Sequence, residues 1–193
     1  MRNQRTQTLV EAALCVALSV VLNYAAMRLP INVAGGSISL TMLPIAVIAI
    51  RRGPLTGAAA GTIFGFLDLL MEPYILVPAQ VVLDYPAPYL LFGLGVGVFS
   101  TLYYSQKTPD AAARPTAVII IATLVGGMLR LASHLLSGVI FFSEYAGGQN
   151  VWVYSLVYNI SYLGPSLLAS MLCALFIVPI VDKTVPVPKR EAA

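Results

Sequence analysis

The chain has 193 residues, 59% of them hydrophobic and 10% charged, with eleven Lys and Arg against eight Asp and Glu. A soluble domain carries roughly 25% charge, so too few charged groups remain here to cover a water-soluble fold of this size. A soluble enzyme, a nucleic-acid-binding module and a disordered chain are disfavoured. At roughly 20 apolar residues per span, the length suits an all-α integral membrane protein with about six transmembrane helices in one domain over 1–193.

Taken in chain order, the first span covers 6–27 and ends at Arg28 and Pro30, before a loop with Gly35 and Gly36. The second, 39–50, is short and contains Pro44, which favours a kink or a partial crossing. It stops at Arg51-Arg52-Gly53-Pro54. The third, 55–70, repeats Gly57, Gly61 and Gly65 at four-residue spacing, a smooth face suited to ordinary close packing of helices. The fourth, 78–104, is interrupted by Pro86 and Pro88, and the fifth and sixth, 114–142 and 152–181, are long enough to tilt. Cys15 and Cys173 lie in apolar runs and read as buried small hydrophobes, not as a disulfide or a zinc site.

With a cytoplasmic N-terminus, Arg2, Arg5, Arg51, Arg52, Lys107, Arg114, Lys183, Lys189 and Arg190 fall inside, Arg28 falls outside, and Arg130 lies within a span. That asymmetry satisfies the positive-inside rule. Two basic ends require an even number of crossings, so both termini are expected in the cytoplasm. The start lacks a small-residue cleavage site after a short apolar core and reads as a retained helix. The connections at 71–79 and 143–151 then lie on the outer face, where polar and aromatic residues are concentrated.

Asp68, Asp84, Arg130 and His134 fall inside or at the edge of spans, where an unpaired charge costs about 2.5 to 3.5 kcal/mol on insertion scales. Arg130 and His134, four residues apart, share a helix face that Asp68 or Asp84 can meet. Arg130 is assigned mainly to structure, as one half of a buried pair. Asp84 and His134 sit near outer span ends among Tyr74, Gln80, Tyr85, Phe142, Tyr145, Trp152, Tyr154, Tyr158 and Asn159. An interfacial aromatic belt explains the rings, Tyr145 and Trp152 above all. It does not explain an acid, an imidazole and an amide at the same end. Together they suit an outward-facing pocket for a small, flat, cationic, nitrogen-rich ligand: a carboxylate for charge, ring faces for cation-π contact, and His, Asn and Tyr for hydrogen bonds.

Four segments sharpen that reading: Arg51-Arg52-Gly53; Gln80-Val81-Val82-Leu83-Asp84-Tyr85-Pro86; Ser133-His134-Leu135-Leu136-Ser137-Gly138-Val139-Ile140-Phe141-Phe142; and Tyr154-Ser155-Leu156-Val157-Tyr158-Asn159. In order and spacing the chain closely resembles the thiamine-specific substrate-binding (S) components of energy-coupling factor (ECF) transporters. The resemblance covers nearly the whole length. It implies a six-helix fold that binds extracellular thiamine with high affinity and works with a membrane coupling protein and two cytoplasmic ATPases, in a bacterial cytoplasmic membrane. Carried over by motif, Asp84 answers the ligand's charge where other members can have Glu, followed by Tyr85, while His134, Tyr154, Asn159 and Tyr74 match motif positions. Some members place tryptophans where this chain has Ala34-Gly35-Gly36-Ser37 and Phe142, which leaves Phe142 or Trp152 as the aromatic wall, with Gln80 one turn before Asp84. Ala13 and Ala17 match a small-residue face that docks on the coupling protein.

The resemblance implies uptake and not catalysis, with no cofactor and with thiamine as cargo. The chain has no Gly-x-x-x-x-Gly-Lys-Ser/Thr phosphate loop, so ATP hydrolysis is expected in the partners. An intramembrane hydrolase is disfavoured because Ser133 and His134 are adjacent and point about 100° apart on a helix. An S component for another cationic or pyrimidine-containing vitamin precursor, and a solitary secondary transporter, are the alternatives, although no internal repeat supports the second.

Overall fold

Apolar runs of this length must satisfy their backbone internally in a bilayer, and helices do so within one segment. The computed structural model describes residues 4–28, 32–33, 36–107 and 115–185. The chain order is α1 (Gln4–Arg28), a two-residue-per-strand ladder of β1 (Asn32–Val33) and β2 (Gly36–Ser37), α2 (Met42–Arg52), α3 (Pro54–Met71), α4 (Pro78–Asp84), α5 (Pro86–Lys107), α6 (Thr116–Phe141), a 3-10 turn (Ser143–Ala146) and α7 (Val151–Thr184). Among the described residues, five helices are long and apolar enough to cross a membrane: α1, α3, α4 with α5, α6 and α7. Their edges match the expected spans to within a few residues. Of the basic residues used to orient the chain, Arg2, Arg114, Lys189 and Arg190 lie outside the described residues.

The second expected span, 39–50, differs most. Its helix starts at Met42 and has 11 residues, about 16 Å of rise and half a hydrocarbon core. Pro44 falls in its first turn, where a missing N–H breaks no helical bond, so it marks a start and not a kink. Residues 38–41 ahead of it are not helical, and non-helical backbone inside a bundle needs partners from its neighbours. It has them: Ser39 N–H donates to Ser166 Oγ on α7 at 3.0 Å, and Ser19 Oγ on α1 donates to the Thr41 carbonyl at 3.1 Å. Every residue of α2 from Met42 to Arg51 is buried, so this short helix is the core around which the longer ones stand.

The turn from α2 to α3 uses Gly53 at φ 89°, a backbone region that disfavours a side chain, and α3 begins on Pro54. The Gly57, Gly61 and Gly65 face meets α5 backbone to backbone. A Cβ on Gly61 would strike the Tyr89 carbonyl, and one on Gly65 the Tyr85 carbonyl. At the α2 end of the bundle, Arg52 Nε donates to Glu11 Oε2 at 2.8 Å, and Arg51 pairs with Asp182 and donates to the Val185 carbonyl at 2.7 Å. These contacts tie α1, α2 and α7 together by charge.

Candidate functional site

Where α4 runs into Pro86, the ring of the proline disfavours regular helical geometry at the residue before it. Tyr85 takes that position with distorted right-handed dihedrals, φ −117° and ψ −78°, and the helix breaks between Asp84 and Pro86. The break turns Asp84 and Tyr85 toward a cavity of about 820 Å³ between α1, α3, α5, α6 and α7. Asp84, Tyr85, Tyr74, His134, Phe142, Tyr154 and Asn159, all anticipated from sequence, line it.

The geometry around the acid is built from behind. Gln80, 1% exposed, lies off the cavity wall; its Nε2 donates to Asp84 Oδ2 at 2.6 Å and to the Tyr74 carbonyl at 3.1 Å, while its Oε1 accepts from Leu76 N–H at 3.0 Å. The Tyr85 hydroxyl accepts from Tyr74 N–H at 2.8 Å and donates to the Glu72 carbonyl at 2.9 Å. Between them, Gln80 and Tyr85 fix the loop after α3 to the acid.

On the facing side, His134 Nδ1 is 3.7 Å from Asp84 Oδ1, ion-pair range but too long for a good hydrogen bond. His134 Nε2 is buried and has no protein partner among the described residues. Asn159 is held by its own surroundings: its Nδ2 donates to the Ser155 carbonyl at 2.9 Å, and its Oδ1 accepts from the Tyr162 hydroxyl at 2.8 Å. Gly138 leaves room for this contact, since a Cβ there would collide with Ser155 Oγ.

Rings close the mouth. Tyr74 stacks on Phe142 at 6.0 Å between centroids, Phe142 leans on Tyr145 at 6.0 Å, and the hydroxyls of Tyr74 and Tyr145 share a hydrogen bond at 3.3 Å. That bond pushes the Tyr74 hydroxyl above the ordinary phenol range. Tyr154 and Tyr158 form a second ring pair at 6.1 Å.

Trp152 is not brought to the cavity; it stands in the first turn of α7, 53% exposed. Phe142 therefore stands on the mouth where the sequence left a choice between the two. Ala34 and Gly35, in the loop expected to differ from other S components, lie outside the described residues. Ala13 and Ala17 are exposed on α1.

Sequence reasoning missed the depth of the cavity. Asn23, Asp68, Tyr89, Tyr162 and Ser166 also line it, as does Arg130, which was expected to pair directly with Asp68. Arg130 Nη2 instead donates to the Tyr89 hydroxyl at 3.0 Å, and Asp68 Oδ1 accepts from Asn23 Nδ2 at 2.6 Å. A polar residue such as Asn23 in an apolar span was the available signal.

A helical bundle with membrane-length helices and an acid-bearing, aromatic-rimmed cavity defines a multi-pass membrane protein with room for a small polar molecule. The family model described as thiamine transporter protein (Thia_YuaJ) matches residues 9–186, and the chain belongs to that family. The thiamine transporter ThiT of Bacillus subtilis (strain 168) is 31% identical over 172 residues, covering 87% of this chain and 89% of that protein. Its namesake from Lacticaseibacillus paracasei is 29% identical over 192 residues, covering 96% and 91%. Among solved structures, ThiT from Listeria monocytogenes superposes with a TM-score of 0.73 at 32% identity over 95% of this chain and 97% of that one. The S-component for biotin from an ECF-type ABC transporter shares the fold, with a TM-score of 0.61 at 20% identity over 95% and 94%.

Proposed function

We propose that this chain binds extracellular thiamine in the cavity as the substrate-binding subunit of an ATP-driven ECF uptake complex. The observation that carries the reading is Asp84 beside His134 Nδ1 on one cavity wall, with the buried His134 Nε2 left without a partner among the described residues. A buried imidazole nitrogen left without a partner is costly unless a ligand supplies one. Thiamine supplies a cationic thiazolium for Asp84 and an aminopyrimidine for His134, Asn159 and Tyr154. Tyr74, Tyr85 and Phe142 offer ring faces or edges. Gln80 serves as a positioning residue behind the acid.

In this reading both termini are cytoplasmic in a bacterial cytoplasmic membrane, and the chain crosses six times. The second crossing is the non-helical stretch 38–41 followed by α2, which by itself covers about half of the hydrocarbon depth. A membrane coupling protein meets α1 at Ala13 and Ala17, and two ATPases complete the complex. Binding needs no cofactor.

Calorimetric titration of the detergent-purified chain with thiamine tests the reading; heat is preferred to indole fluorescence because Trp152 stands off the cavity. Saturable one-to-one binding is expected. Asp84→Asn keeps the shape and removes the charge, and is expected to weaken binding by about 50-fold or more, in line with losing a desolvated ion pair. A folded sample that gives no heat with thiamine, and binds another cationic vitamin precursor instead, overturns the substrate. Uptake by this chain in vesicles without ATPase partners overturns the ECF assignment.

A further inference from the structure

Asn159 stands on the cavity wall with both ends of its amide engaged. Its Nδ2 donates to the Ser155 carbonyl at 2.9 Å and lies 3.5 Å from the His134 carbonyl, across the contact of α6 with α7. Carbonyls only accept, so the NH2 end must face them. At the other end, Oδ1 accepts from the Tyr162 hydroxyl at 2.8 Å. An amide oxygen carries two lone pairs, so one remains after Tyr162 has taken the first, and no other side chain among the described residues donates to it. To a ligand in the cavity, Asn159 therefore offers an acceptor and not a donor.

The bond from Tyr162 joins two residues three apart on one helix, so it ties no two elements of the bundle together. What it fixes is the plane of the amide. The last torsion of an asparagine is broad, and a single anchor at the Ser155 carbonyl leaves the oxygen free to swing. A donor on the oxygen itself stops that swing. Tyr162 lines the same cavity and is held there by packing, its ring edge-on to His134 at 6.4 Å between centroids and to Tyr158 at 6.2 Å. Its one hydroxyl proton is spent on Asn159, which leaves none to give a ligand.

We infer that Tyr162 is a positioning residue for ligand selection, which holds the Asn159 oxygen so that this part of the wall accepts from an N–H group of the ligand. This rests on the thiamine reading, whose ligand carries such a group, the amino group of its pyrimidine. An acceptor held in one place rejects a ligand that lacks the donor, because a buried lone pair is then left without a partner.

Calorimetry of the full chain in detergent tests the inference with two ligands: thiamine, and the analogue with hydrogen in place of the pyrimidine amino group. The wild-type chain is expected to bind the analogue about tenfold or more weaker than thiamine. Tyr162→Phe keeps the ring against His134 and Tyr158 and removes only the hydroxyl. It is expected to weaken thiamine by about fivefold and to leave the analogue within about twofold of its wild-type affinity. In an Asn159→Ala background, adding Tyr162→Phe is expected to change thiamine affinity by less than about twofold, because residues that act through one another are not additive. A merely structural tyrosine would weaken both ligands alike, with or without Asn159, and either result overturns the inference. Unchanged thiamine affinity in Tyr162→Phe overturns it as well. Equal affinity of the wild-type chain for the two ligands does so even when no variant folds, and leaves thiamine binding intact. Absence of thiamine binding by the folded wild-type chain overturns the parent reading instead.

Discussion

A carboxylate in a membrane protein is useful to a cationic ligand only when its oxygens are held toward the cavity, and Asp84 is held by a neighbour that never touches the cavity. Gln80 spends both amide ends, on Leu76 N–H, the Tyr74 carbonyl and Asp84 Oδ2. Gln80→Leu keeps the bulk and the acid but removes three hydrogen bonds in a buried place. It leaves Asp84 Oδ2 without that donor and frees the loop that carries Tyr74. The expected outcome is thiamine binding weakened by about tenfold, less than for Asp84→Asn, with the loss concentrated in the enthalpy of titration. An unchanged affinity would show that the acid is positioned without its clamp.

At the scale of elements, the bundle is set by how closely α3 and α5 approach. The three glycines of α3 bring no Cβ to the contact; opposite Gly61 and Gly65 the surface is backbone, not a side chain that can swing aside, and Gly57 meets Ala49 Cβ and the Gly93 carbonyl. Gly61→Leu cannot be absorbed by a rotamer change; the helices must separate, which shifts the Tyr85 break that carries the acid. The expected cost is about 1–3 kcal/mol or more of stability, read as a lower thermal midpoint in detergent with thiamine affinity falling alongside it. Those glycines were legible because a four-residue repeat fixes a face whatever the partner. The phase of α7 was not. Ser155, Asn159, Tyr162 and Ser166 form the stripe that faces inward, and Tyr158 and Trp152 flank it on opposite sides at about 100° per residue. Tyr158 falls on the side with Tyr154 and lines the cavity, whereas Trp152, in the first turn of α7, stays 53% exposed and off it, and nothing in the linear sequence distinguishes the two. The short helix was half legible: Pro44 and the Arg51-Arg52-Gly53-Pro54 stop marked it, but the non-helical chain at 38–41 takes partners from Ser19 and Ser166, far away in sequence. Direct Arg130–Asp68 pairing was expected because charge complementarity is readable from sequence, whereas the partners the two groups take instead, the Tyr89 hydroxyl for Arg130 and Asn23 for Asp68, come from other helices and are tertiary facts.

For the whole molecule, the two ends of the bundle do different work. One end carries the cavity, with its rings and acids; the other is closed by Glu11, Arg51, Arg52 and Asp182, which hold α1, α2 and α7 as one body. Along α1 between those ends, Val16, Ser19, Asn23 and Ala26 are buried, and Ala13, Leu14, Ala17, Leu18 and Val21 face outward. The two alanines make that outer face locally flat, which lipid does not require and a partner helix does. Because α1 meets the cavity through Asn23 on its opposite face, bulk added at the alanines does not reach the ligand. The double variant Ala13→Trp with Ala17→Trp is therefore expected to bind thiamine within about twofold of the parent in detergent, since an exposed substitution away from the site perturbs stability by little. In vesicles with the coupling protein and ATPases it is expected to lose most ATP-dependent uptake and to fail to copurify with the coupling protein. Uptake retained with both tryptophans in place would move the docking surface off this face of α1, and loss of thiamine binding together with uptake would mean that the face supports the bundle and not a partner.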